Sequence, residues 1–504
     1  TLDVVDQDQK GQPRDNICNT AFQGGLHCVG INPDRRIVNA VKDGYLNREI
    51  LGISANIDYT TAWGTFTSLT AFRNTDFSHA DAFFSNPINP PNQIESYNEN
   101  VEDNDQFSQE FRLSFDALDK TLRGVVGIYY LKEHNKRTEY LTQDFPGPGS
   151  TGKAAFPQAV DASSFAVFGQ TDYSLTERLT LTAGARMTWE KKDVDLAGVR
   201  LAGPGWPPPL AAEYAISASK RWDAFTPKLG VSYRFSDDAM AYASVTRGFK
   251  SGGFQGEAGS AAEAVIPYDP EEQVTWEAGA KFASAGGRLQ VNTAVFHNDI
   301  ENMHVNRFTG LPGVSVIRNA GKARTQGAEL EAIWIAAEAL RLQLSYGYLD
   351  AKWIEFMEAP APGQPITNVA NNRSFPHAPE HTVSLLADAK FAKTAWGELR
   401  GMADYSYTSE FYAYPYQLTT VDPTRATAGN TKVKGYGLLN LRLTLADMPL
   451  GESGTGELAL WSRNVTDEQP PVNFIDFGPG FFANYTLAYY QEPRTYGATF
   501  TYRW

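Results

Sequence analysis

The stretch LTLTAGARMTWE at residues 179–190 decides the fold. Its odd positions, Leu179, Leu181, Ala183, Ala185, Met187 and Trp189, are apolar, whereas Thr180, Thr182, Gly184, Arg186, Thr188 and Glu190 are small or polar. Successive side chains of a strand point to opposite faces, so this alternation describes a strand with one face for hydrocarbon and one for water. The period returns in Leu51, Ile53, Ala55, Ile57 and Tyr59, in Val274, Trp276, Ala278, Ala280 and Phe282, and in Leu439, Leu441, Leu443 and Leu445. Composition agrees with an all-β chain: Tyr (24) far outnumbers Met (6), which favours strands and turns over helices.

A soluble sandwich also wets one face of each strand, but its links need not differ between the two ends. Here short links at 60–64, 117–120, 176–178, 236–238 and 283–287 alternate with long ones at 85–104, 144–161, 198–221, 251–270, 355–373 and 412–431. Tight turns at one end and large loops at the other are the arrangement of outer-membrane barrels. The Pro- and Gly-rich run 203–210 is a loop rather than a linker, because a strand pattern resumes after it. Rings flank the short links, as in Tyr59 and Trp63, Tyr233 and Phe235, and Phe391 and Trp396, where an interfacial girdle would sit. The chain ends on Tyr496, Ala498, Phe500, Tyr502 and Trp504 alternating with Thr495, Gly497, Thr499, Thr501 and Arg503, an amphipathic last strand with an aromatic terminus. No stretch approaches the roughly 18 uninterrupted apolar residues of a membrane-spanning helix.

A formal charge of -14 offers no basic field to a phosphate backbone, so nucleic acid is not an expected partner. Cys18 and Cys28 are the two cysteines, and their spacing suits either a small disulfide loop in an oxidising compartment or two free thiols. With His27 they fall short of a zinc ligand set. Thr1 begins neither with Met nor with a signal sequence, so an export signal is expected upstream.

Specific residues then resemble a known family. RGFKSGGF at 247–254, YDPEEQVTWEAGAKF at 268–282, NAGKARTQGAELE at 319–331, RNVTDEQ at 463–469 and EPRTYGATFTYRW at 492–504 are similar, in order and spacing, to the barrel of TonB-dependent receptors. The resemblance implies a transmembrane antiparallel β-barrel in the outer membrane of a Gram-negative bacterium, with 22 strands behind an N-terminal plug. About seventeen strand candidates are legible here, so residues 1–504 are expected to be part of one barrel domain, with the plug and first strands absent and residues 1–45 forming an extracellular loop. Cys18 and Cys28 would then face the cell exterior, where a disulfide persists.

For function, the resemblance implies no enzyme and no cofactor. It implies a receptor that imports a scarce nutrient, such as a ferric siderophore or similar chelate, a glycan or an aromatic compound. Its partners would be the TonB complex, reached through the absent N-terminal region, outer-membrane lipid, and the barrel-assembly machinery, which reads the strand ending at Trp504. The alternative is an ungated diffusion porin. Ligand contacts are expected in outer loops that carry rings and hydrogen-bonding groups: Phe83, Phe84 and Asn86, and Phe411, Tyr412, Tyr414 and Tyr416. Arg307 and Arg373 are candidate partners of an anionic chelate. No catalytic residue and no metal ligand is expected; of seven histidines only His377 and His381 lie close together.

Overall fold

The computed structural model describes residues 2–10, 15–17, 44–82, 95–144, 151–202, 212–284, 286–308, 315–319, 321–360, 363–423, 425–451, 454–476 and 486–504. Their main element is a nineteen-stranded antiparallel sheet. Apart from the two-residue Thr367–Asn368, its strands pair in chain order: Leu2–Lys10, Tyr45–Thr61, Gly64–Ala82, Glu95–Ala117, Leu122–Asp144, Thr151–Ser174, Leu179–Ala202, Tyr214–Ser236, Ala239–Lys250, Glu271–Ala283, Leu289–Glu301, Gly321–Ala337, Leu340–Glu358, His381–Thr394, Gly397–Thr408, Tyr436–Leu450, Gly454–Arg463 and Thr495–Arg503. Among the described residues Leu2–Lys10 and Thr495–Arg503 are the two ends of this ladder, and Asp15–Ile17 pairs with Thr486–Tyr490, joining loops that belong to the two ends.

The alternation in sequence appears as alternation in exposure. Ile128, Val167, Leu229, Trp276 and Leu460 are exposed and share the outward face, while their sequence neighbours point inward. A folded chain in water would bury such side chains, so an outward apolar band marks the surface that meets lipid. Rings beside the tight turns are exposed too: Tyr59, Trp63, Phe235, Phe391 and Trp396 form the expected girdle, with Trp504 91% exposed at the end of the last strand.

Two of these turns share one construction. Thr61-Ala62-Trp63-Gly64 and Thr394-Ala395-Trp396-Gly397 each close a hairpin with a two-residue loop. In each, the Thr hydroxyl donates to the Gly carbonyl (2.8 and 2.9 Å) and accepts from the Trp N–H, which leaves the indole projecting outward. The glycines sit at φ 151° and 136°, a region that side chains disfavour.

Two expectations change. Leu2–Lys10, inside the stretch expected to be loop, pairs with residues 45–53 as a wall strand, so the loop is shorter than 1–45 and the wall has, among the described residues, eighteen strands against the expected seventeen or so. Several long links are also partly strand. Glu95–Ala117, Leu122–Asp144, Thr151–Ser174, Leu179–Ala202 and Tyr214–Ser236 run for 23 to 24 residues, where roughly 9–11 cross a membrane. Their outer halves stand above the membrane with water on both sides, so no apolar face is required and period-two hydropathy fades.

Candidate functional site

The tall part of the wall encloses a vestibule, and chain from the loops folds into it. Residues 251–270, between Ala239–Lys250 and Glu271–Ala283, form a strap against the inner face of the tall strands. Phe254, Ala258, Ala261 and Ala264 pack on Leu141, Phe156, Val194, Leu196 and Tyr214, of which Phe156 is wholly buried. The strap is also bonded to its surroundings. Ser251 Oγ donates to Glu190 Oε1 (2.6 Å), Lys192 Nζ to the Gly252 carbonyl (2.7 Å) and the Tyr214 hydroxyl to the Ala258 carbonyl (2.9 Å). On its far side Gln255 exchanges two hydrogen bonds with the backbone of Ile317, in the hairpin of His304–Phe308 and Ser315–Asn319.

This geometry explains the glycines of RGFKSGGF. A Cβ on Gly252 would collide with the Tyr268 carbonyl and the Trp222 ring, and one on Gly253 with the Tyr268 ring. Trp222 is buried under the strap, edge-on to Phe254, with Lys192 and Lys220 ammonium groups 5.7 and 5.4 Å from its ring. Burial pushes the Tyr214 phenol up to about 12, aided by Glu263 and Glu257 nearby. Replacing Tyr214 with Phe strands the Ala258 carbonyl, and we expect this to loosen the strap by about 1 kcal/mol. Limited proteolysis of membranes should show residues 251–270 nicked about fivefold faster, at unchanged barrel yield.

Among the described residues, chain from the loops around 356–376, 411–433 and 471–476 is tied together as a roof. Arg373 and Glu358 make a buried ion pair; Glu358 also meets Arg425 Nη1 at 2.9 Å, and Arg425 Nε reaches Asp422 at 3.2 Å. Arg373 lies over the Phe356 ring, and Trp353 donates to the Ser374 carbonyl at 3.0 Å. Ser374 Oγ donates to the Tyr414 carbonyl, while the Tyr414 and Tyr416 hydroxyls donate to the carbonyls of Phe474 (2.6 Å) and Asp476 (3.1 Å). Burial drives both phenols far above their ordinary pKa, so they stay neutral donors.

The candidate ligand residues therefore fall into four groups. Tyr414 and Tyr416 stack on each other (5.1 Å) as struts between loops; Phe411 and Tyr414 pack on an apolar cluster of Ala413, Val433, Phe474 and Ala488, and Tyr412 lies beneath Lys432. Arg373 is enclosed by its carboxylate partner. Arg307 sits in the hairpin opposite Val316. Phe83, Phe84, Asn86, Cys18 and Cys28 lie outside the described residues. Sequence reading missed Trp222, Lys192, Lys220 and Gln255, for which the one available signal was the density of glycines at 252–256, marking close approach of backbone to a bulky neighbour.

Comparison with known proteins places this geometry. Residues 19–465 match the family described as TonB dependent receptor-like, beta-barrel. Among curated relatives, the pesticin receptor of Yersinia enterocolitica is 24% identical over 58% of this chain and 39% of its own length. The metal-pseudopaline receptor CntO of Pseudomonas aeruginosa is 32% identical over 35% of this chain and 22% of its own. This chain thus spans less than half the length of either. Among solved structures, the ferric yersiniabactin uptake receptor FyuA from Yersinia pestis superposes with a TM-score of 0.70 at 18% identity, covering 92% of this chain and 62% of that one. The siderophore receptor PiuA from Acinetobacter baumannii does so with a TM-score of 0.70 at 16% identity, covering 100% of this chain and 71% of that one.

Proposed function

Since the chain belongs to the TonB-dependent receptor β-barrel family of the Gram-negative outer membrane, we propose that it forms the wall and vestibule of a receptor importing a ferric siderophore or similar metal chelate, driven through TonB. The family is one of receptors, not enzymes. The carrying observation is the inward strap: hydrogen-bonded to the wall and to the hairpin at 304–319, it narrows the vestibule and provides a fixed surface of the kind that selects a bulky ligand. The name of one relative, a metal-pseudopaline receptor, supports a chelate over a glycan or an aromatic compound. Contact with Arg307 or with the loop carrying Phe83, Phe84 and Asn86 belongs to the same proposal. So do a plug and TonB-contacting segment upstream, a Cys18–Cys28 disulfide on the exterior, and recognition of the strand ending at Trp504 by the assembly machinery.

The porin alternative requires a passage open at rest, which a roofed and strapped vestibule disfavours. The test is uptake of radioactive iron, supplied as a panel of ferric chelates, by cells carrying the full-length gene, with and without TonB. We expect saturable uptake of at least one chelate, abolished without TonB. Non-saturable entry that survives loss of TonB would establish the porin instead.

A further inference from the structure

Well above the lipid-facing band, wall and strap meet at a pair of carboxyl groups. Glu139, 4% exposed on the inner face of Leu122–Asp144, converges there with Glu257 of the strap. One cation serves both: the Arg137 guanidinium lies 3.1 Å from Glu139 Oε2 and 3.3 Å from Glu257 Oε1, and it donates to Asn100 Oδ1 at 2.8 Å. Asn98 Nδ2 donates to Glu139 Oε1 at 2.7 Å. Two carboxyl groups that share a single guanidinium in a desolvated site favour a proton on one of them, because a second negative charge there would be left without its own cation. With Glu139 protonated, Arg137 balances the single negative charge that remains.

We propose that this shared proton is a latch: it docks the strap on the wall in acidic to neutral surroundings and releases it as the medium turns alkaline. Deprotonation leaves two carboxylates facing one guanidinium, and the strap, being a loop, is the partner free to move. The other charged and titratable groups around the pair have partners of their own. From Gly64–Ala82, His79 and Asp81 pair at 2.7 Å beside Asn100 and Asn98. From Glu95–Ala117, Glu102 accepts from Asn135. From Tyr214–Ser236, Tyr214 donates to Ala258, and on the strap Glu263 meets Arg318 at 3.3 Å.

The sign follows from linkage. Burial first, and then Glu257, hold Glu139 up at about 9 when the strap is docked. Release restores water and removes Glu257, returning the group toward the ordinary carboxylate range near ~4.3. A proton bound more tightly in the docked state favours docking fully below the lower value, and the advantage declines as pH climbs through the upper one. The strap is therefore held progressively less firmly from about pH 5 to about pH 9.

Hydrogen exchange of the full-length receptor in membranes tests this, with protection at residues 253–265 corrected for the intrinsic pH dependence of exchange. Between pH 6 and pH 9.5 we expect protection there to fall about tenfold or more, while the amides of residues 122–133 stay protected. In Glu139→Gln the side-chain amide donates to Glu257 at any pH, so the loss should shrink to less than about threefold. Glu257→Gln, which removes the charge from the strap side, should behave alike and serves where the first variant is not recovered in membranes. Equal protection of the unaltered receptor at both pH values would overturn the latch. So would the same alkaline loss in a recovered glutamine variant, since the pair would then carry no proton dependence.

Discussion

Replacing Arg373 with Met should cost the roof about 3–5 kcal/mol, because it leaves a buried carboxylate short of its cation. Arg373 and Glu358 are 5% and 7% exposed at the side chain, and Arg425 and Asp422 complete a network of two cations and two anions. Without Arg373, Arg425 alone faces two carboxylates. Met keeps an apolar stem of similar length, so the loss is chiefly that of the guanidinium, which also lies over the Phe356 ring. Residues 359–435 should become the first site of protease attack, at unchanged recovery of the barrel. The double variant Arg373→Met with Glu358→Met leaves Arg425 and Asp422 as a balanced pair, and we expect it to regain most of the protection, well short of additive damage. No damage in the single variant would show that the network does not hold the roof, and equal damage in both would show that the stranded Glu358 carboxylate is not the cause. The pair also separates structure from recognition: if the double variant resists protease as the unaltered receptor does yet takes up no chelate, Arg373 touches ligand after all; if uptake returns with protease resistance, its role is in the roof.

The parts of the fold legible in the sequence were those where two solvents meet. Ile53, Val167 and Trp276 announce their strands because hydrocarbon on one side and water on the other force alternation, and the girdle rings Trp63 and Trp396 stand where tight turns were read. Above the membrane that constraint vanishes. Residues 95–104, ESYNENVEDN, have no apolar face, and they are strand because backbone pairing to residues 135–144 continues the ladder upward. Leu2–Lys10 was passed over for a related reason: LDVVDQDQK is too short and too charged to show the period, and pairing to residues 45–53 makes it wall. The site was less legible still. Tyr414 and Tyr416 have the chemistry of ligand-stacking rings, but their hydroxyls are spent on the carbonyls of Phe474 and Asp476, contacts sixty residues away that no local pattern reports. Glu139 and Glu257 are ordinary in sequence; only the strap's path brings one against the other.

The orientation of every wall strand can be tested on a single one. Val167 is 44% exposed on the outward face of Thr151–Ser174, beside Ile128 and Met187, while Gln170, three residues on, takes the inward face beside Val125 and Gly184. Both lie near the middle of the roughly ten residues that cross the membrane above the turn at 174–179. An arginine at position 167 must place its charge in hydrocarbon, whereas one at 170 enters a lumen already lined by Asp172 and Thr182. Val167→Arg should therefore destabilise the barrel by about 2–4 kcal/mol, and Gln170→Arg by less than about 1 kcal/mol. Denaturant unfolding of the full-length receptor in lipid bilayers, followed by its folded band in unheated gels, measures both. Matching losses at the two positions would mean that both faces meet the same solvent, which no membrane barrel allows. A larger loss at 170 would turn the wall inside out, placing the apolar band in the lumen and the ion-paired face in lipid, where each unshielded charge costs too much for the sheet to form.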